Sequence, residues 1–187
     1  MQRVAPFFDD LVLEPEPGNK KKLLLEWRHV ASDHYFNASS LSDGTLRFMA
    51  LATLLLPPQE LRPSVIVLDE PELGLHPYAI TMLASMAKST STETQVVLAA
   101  QSSLLLDHFE PSDIVVAESI GEETQLRRLE SQPLEVWLEE YSLGQLWEKN
   151  QLGGRPGARP PASPARSYFN STAFLTVSNV SPRIATQ

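Results

Sequence analysis

Apolar and polar residues recur along this chain with two periods, and each change of period marks an element. Val65-Ile66-Val67-Leu68 is bounded by Arg62-Pro63 and followed at once by Asp69-Glu70-Pro71-Glu72. It predicts a strand buried on both faces, whose carboxyl end delivers two carboxylates into a crevice. Open α/β sheets bind ligands at that end of their strands. Gln95-Val96-Val97-Leu98-Ala99-Ala100 predicts a second buried strand. Between them, Pro77 suits a first helical turn, and Ile80, Leu83, Ala84 and Ala87 give a helix face through about Lys88, ended by Ser89-Thr90-Ser91-Thr92. Strand, helix and strand in that order predict a parallel pair joined by a right-handed crossover.

The flanking segments follow the same logic. Val4 to Leu13 alternates loosely and stops at Glu14-Pro15-Glu16-Pro17-Gly18, while Lys22 to Trp27 reads as a strand, so the two suit an antiparallel pair. Ala31 to Ser40 reads as a loop. Leu46, Met49, Ala50, Thr53, Leu54 and Leu55 recur near the helical period across Thr45 to Leu56, until Pro57-Pro58 stops the run. Ser102 or Ser103 suits the cap of a short helix reaching Phe109. Asp113 to Ser119 and Gln125 to Leu129 flank Gly121-Glu122-Glu123 as a hairpin at the sheet edge, and Leu134 to Leu146 predicts a helix with Trp137, Leu138 and Tyr141 on one side. From Leu152 onward glycine and proline argue against regular structure; Tyr168 to Val180 has strand propensity but no evident partner.

Composition narrows the class. The chain has 187 residues, 42% hydrophobic and 20% charged, which suits one globular domain with a sizeable core. It has no cysteine, so disulfides and thiolate metal sites are excluded. Pro6, Asp9 and Asp10 interrupt the first residues before any secretory apolar region forms, and the longest apolar run, Phe48 to Leu56, falls short of a bilayer span. No membrane association and a cytoplasmic location are the expectation. Arg155, Arg159, Arg166 and Arg183 are the only charges from Gln151 onward, so residues 1–150 hold eleven basic side chains against all 23 acids, and the whole chain carries −8. That balance argues against holding nucleic acid unaided. It also separates a body, 1–150, from a Gly/Pro-rich tail, 151–187.

The order of two motifs sharpens the picture. Leu41-Ser42-Asp43-Gly44-Thr45-Leu46-Arg47-Phe48 opens the first helical run, and Val65 to Pro77 follows it. Together they resemble an ABC-type ATPase head of the chromosome-maintenance and recombination-repair kind. More narrowly, they resemble the bacterial AAA family ATPases related to the overcoming-lysogenisation-defect nucleases. Leu41 to Thr45 looks like that family's signature loop, Val65 to Glu70 like its Walker B strand, and Glu72 to Pro77 like its D-loop. The resemblance runs from about Val4 to about Pro156 and implies a partial P-loop NTPase fold: α/β, with parallel core strands, flanking helices and an antiparallel edge hairpin. Gly-x-x-x-x-Gly-Lys-Ser/Thr, the loop that cradles phosphates, occurs nowhere in the chain. The resemblance therefore implies the C-terminal lobe of a head whose Walker A lobe is absent here, followed by a tail foreign to the family.

Phosphoryl transfer from ATP to water needs a metal on the β/γ oxygens, a group that orients the water, and donors for the equatorial oxygens. Asp69, at a strand end, has the type and place to bind Mg²⁺, and Glu70 that to polarise the attacking water. By itself Asp-Glu-Pro is also an ordinary polar strand ending. Ser42 and Gly44, at the positive end of a helix, suit a γ-phosphate, although Ser-Asp is equally a helix cap. In heads of this type the loop acts on ATP held by the other subunit of a dimer. Asp43 replaces the glycine usual in such signatures, which leaves the phosphate contact to Ser42 and Gly44. Arg47 is a nucleotide sensor or a surface ion pair. Gln101 stands where many relatives place a switch histidine; glutamine donates a hydrogen bond but carries no proton, so its role narrows to sensing.

The expected function is thus an ATP-binding and ATP-hydrolysing head that dimerises with a second head and acts in DNA repair, DNA processing or phage defence. Likeness to the lysogenisation-defect group adds a nuclease subunit as a partner, and DNA through that partner. The alternative is an interaction module that keeps the fold without the chemistry. A third reading takes Asp69, Glu70, Glu72 and His76 as a metal-nuclease cluster, although those residues crowd one turn.

Overall fold

The computed structural model describes residues 1–120, 123–153 and 173–177. The order of elements is β1 (Phe8–Glu16), β2 (Asn19–His29), β3 (Tyr35–Asn37), α1 (Asp43–Leu55), β4 (Val65–Asp69), α2 (Pro77–Ser91), β5 (Gln95–Ala100), α3 (Ser103–Leu106), β6 (Ile114–Ile120), β7 (Glu123–Arg128), α4 (Glu135–Leu138), α5 (Leu143–Glu148) and β8 (Ala173–Val177). Two sheets form, one of three strands in the order β1-β2-β3 and one of five in the order β4-β5-β8-β6-β7.

The first sheet is an antiparallel hairpin with a short third strand, where the sequence reads as a loop between Ala31 and Ser40. Trp27 explains the addition. It lies opposite Phe36 across β2 and β3, their rings 5.2 Å apart, and its indole N–H donates to Ser40 Oγ at 3.0 Å. Trp27, Phe8, Ala5 and Leu41 make a small core against Leu46 and Met49 of α1.

β4 and β5 pair in parallel, Val65 with Gln95 through Asp69 with Ala99, around the crossover helix α2. His76 caps α2 with its ring Nδ1 and Pro77 fills the first position. Leu83 and Ala87 of α2 are completely buried. The serine-threonine run does not stop α2 early: Thr90 and Ser91 are buried within it, and Thr90 donates its hydroxyl to the carbonyl of Leu55 at 2.8 Å, tying the ends of α1 and α2 together. Phe48, Leu51 and Leu55 of α1 meet Ile66, Ala79, Leu83 and Met86 in one cluster. A second cluster joins α2, β5, β6 and α5 through Val96, Leu98, Val116 and Leu146.

Three further expectations change. β4 is buried on one face only: Ile66 is 2% exposed, whereas Val65 is 48% and Val67 68% exposed, because the helices pack on one side and β4 is the sheet edge among the described residues. The helix expected over Leu134 to Leu146 divides into α4 and α5. Ser142 adopts an extended conformation and forms a capping box with Gln145, so a new helix starts there, and Trp137 is left exposed. Finally, residues 173–177, within the Tyr168 to Val180 stretch that has strand propensity but no evident partner in the sequence, form β8. This strand pairs antiparallel with β5 on one side and β6 on the other. The hairpin β6–β7 forms with β7 at the edge; its tip, residues 121–122, and most of the tail lie outside the described residues. Among the described residues no helix is long and apolar enough to cross a membrane.

Candidate functional site

The site forms where β4 and β5 end. Asp69 is the last residue of β4, and its carboxylate is exposed and accepts no hydrogen bond among the described residues. The ladder runs one residue further, because the Glu70 N–H donates to the Ala99 carbonyl at 2.7 Å. There the backbone turns sharply: Glu70 has φ +42, a left-handed conformation that costs a residue with a side chain about 1–3 kcal/mol. Pro71 buries itself below, and Gly74, at φ +75, completes the turn that Leu73 and Leu75 close by donating to the carbonyls of Glu70 and Glu72.

Gln101 leaves the end of β5 beside this turn. Its side-chain amide donates to Glu70 Oε1 at 2.7 Å, and its backbone N–H donates to Glu72 Oε1 at 3.1 Å. Glu72 Oε2 is buried without a partner. Glu72 is the member of this network to which the ATPase reading of the sequence assigns no role; the sequence offers it only in the nuclease cluster and at the start of the D-loop-like stretch. Gln101, bonded to Glu70 through its side chain and to Glu72 through its backbone, fixes where the Glu70 carboxylate points.

The Ser42 loop borders the same rim. Ser42 caps α1, its Oγ accepting from the Thr45 N–H and lying 2.9 Å from the Thr45 hydroxyl, and Asp43 is the first helical residue. Gly44 lies so close to the turn that a β-carbon there would collide with the carbonyl oxygen of Gly74. Arg47 makes no ion pair among the described residues. It donates from Nη1 to the carbonyl of Glu70 at 3.2 Å. The structure therefore brings Gly44, Arg47, Glu70, Glu72 and Gln101 into one contact network, with Asp69 beside it and Ser42 at the start of the helix that feeds it. His76 is a helix cap, His108 lies by Thr81, and no group of three or more acids or histidines that could hold a metal occurs among the described residues, so the four-residue nuclease cluster finds no support.

Residues 1–107 match the profile of the family described as "AAA domain, putative AbiEii toxin, Type IV TA system". The chain belongs to this family. Its fold is that of ABC-type, P-loop NTPase heads. One similar solved structure comes from work on ATP-driven dimerization and DNA-stimulated activation of SMC ATPases. It has 17% sequence identity and a TM-score of 0.55, and the match covers 74% of this chain and 84% of that one. Another is an SMC head bound to the C-winged helix domain of ScpA, at 16% identity and TM-score 0.56, covering 72% of this chain and 41% of that one. A comparison with curated proteins gives no match. The AAA family relationship and the head fold thus rest on both sequence and structure, and the five-stranded sheet of this family member carries its acids at the strand ends where such folds bind ligands.

Proposed function

We propose that this chain is the acid-bearing lobe of an ATP-hydrolysing head, with Asp69 the ligand of Mg²⁺ and Glu70 the residue that orients the attacking water. The observation that carries the reading is the pairing at the ends of two parallel strands: an exposed, uncommitted Asp69 beside a Glu70 whose carboxylate is already held in one direction by Gln101. Asp69 suits Mg²⁺ because this ion is commonly held by one or two carboxylates together with substrate phosphates rather than by a full protein cage. Mg²⁺ held by Asp69 would neutralise charge on the β and γ oxygens. Glu70 accepts the proton that the water loses, and Gln101, bonded to the same carboxylate, donates to the γ-phosphate side when nucleotide is present.

Ser42 and Gly44 serve the second nucleotide of a dimer. Their backbone N–H groups and the positive end of the 13-residue α1 favour an anion. The glycine-rich lysine loop is missing from these 187 residues, so the reading places the triphosphate between this lobe and another that supplies the loop. DNA processing, repair or phage defence, with a nuclease subunit as partner, is the wider role proposed. The net charge of −8 assigns any DNA contact to that partner.

The test is Glu70→Gln in an assembly that supplies the phosphate loop. Hydrolysis should fall by about 10²–10⁴-fold while Mg-ATP binding persists; an unchanged rate ends the assignment. A second reading, an interaction module without turnover, is favoured by Gln101 in place of a proton-carrying residue. Calorimetric titration of the full chain tests the second reading, since micromolar Mg-ATP affinity is incompatible with the module.

A further inference from the structure

α1 and the turn after β4 are distant in sequence, yet the start of α1 touches that turn at two points. Gly44 abuts the Gly74 carbonyl, and Arg47 donates to the Glu70 carbonyl at 3.2 Å. Glu70, at φ +42, lies between them in a conformation that persists only when its surroundings over-determine it. Those surroundings are specific. The Glu70 N–H is held by Ala99, its carbonyl by Arg47 and Leu73, and its carboxylate by Gln101. Gln101 is in turn held through its backbone N–H by Glu72, a residue of the same turn. The chain of contacts therefore runs from α1 through Arg47 and the Glu70 backbone to the Glu70 carboxylate, and closes through Gln101 and Glu72.

We infer that the Glu70–Gly74 turn is a relay, in which Arg47 and Glu72 are positioning residues that make the direction of the Glu70 carboxylate depend on the position of the Ser42–Gly44 loop. Arg47 acts on Glu70 rather than on a nucleotide. A shift of α1 changes the hold on the Glu70 carbonyl, the left-handed residue relaxes, and the carboxylate leaves or keeps its bond to Gln101. One oxygen of that carboxylate accepts from the amide in the present arrangement, so the relay sets the direction in which the acid is held. The coupling stands on these contacts; only the identity of the ligand that moves α1 rests on the proposed function.

Amide hydrogen exchange of the full chain tests it. Arg47→Ala should speed exchange across residues 69–75, and at Gln101, by about five- to tenfold, the effect of losing one backbone-directed hydrogen bond. Hairpin β1–β2 and α5 should keep their rates, which separates a relay from general loosening, and Ala50→Ser on the exposed side of α1 should change nothing. Arg47→Lys, which retains a donor, should restore the rates to within about twofold. Gln101→Ala should speed the same turn. Because Arg47 and Gln101 act on Glu70 from different sides, the double variant should fall short of the product of the single effects by about threefold or more. Multiplicative effects, or an Arg47→Ala effect confined to α1, overturn the relay. Adding Mg-ATP to an assembly that supplies the phosphate loop gives an independent arm. Protection of residues 42–46 and 69–75 together in the wild type, but of 42–46 alone in Arg47→Ala, shows the ligand signal travelling through Arg47. If Mg-ATP leaves 42–46 unchanged, the nucleotide assignment fails while non-additivity still decides the relay.

Discussion

Gly44 and Glu70 depart from ordinary residue behaviour for opposite reasons. Gly44 needs no unusual backbone angle; it is required because the Gly74 carbonyl occupies the space a side chain would take. Glu70 has a side chain where the backbone favours glycine, so its identity is kept at a conformational cost. Gly44→Ala should therefore lower stability by about 1–3 kcal/mol, as over-packing against rigid backbone does, and denaturant unfolding measures it. An unchanged midpoint would mean that α1 can retreat from the turn without loss. The sequence supplied both residue types at the right places. It could not reveal that Arg47 reaches the Glu70 carbonyl, because a guanidinium's partner depends on which turn folds beside it.

At the element scale, β4 behaves as a strand with one covered face. Its run of four aliphatic residues is what a strand buried on both faces looks like, and the run continues to Asp69 in register with β5. Only Ile66 and the half-buried Leu68 reach the helices, while Val65 and Val67 point away from them. Ile66→Ala should cost about 2–5 kcal/mol. Val67→Thr should stay within about 0.5 kcal/mol in the isolated chain. Equal losses at both positions would show that the outer face is covered in solution. α2 presents the converse case. Its serine-threonine ending reads as a stop, but Thr90 is carried inward because its hydroxyl satisfies the last turn of α1.

For the whole molecule, the unexpected feature is the order β4-β5-β8-β6-β7. β8 runs antiparallel to both neighbours, so β5 and β6 are parallel to each other and separated by one strand drawn from near the C-terminal end. Deleting residues 154–187 should expose the β8-facing amides of β5 and β6, and their exchange should quicken by orders of magnitude while β4–β5 pairing survives. Unchanged protection on β5 would show that β8 adds nothing to the sheet.

The sequence by itself determined the local grammar: which segments are strands or helices, that β4 and β5 run parallel around α2, and that Asp69, Glu70 and Gln101 arrive at strand ends. Those outcomes depend on residue periodicity and short connections, which a linear chain displays directly. Tertiary structure alone decided the rest. It left one face of β4 bare, placed β8 between β5 and β6, and bound Arg47 and Gln101 to one glutamate. Each of these is a meeting of residues remote in the chain, settled by which surfaces remain to be covered after the local elements have formed.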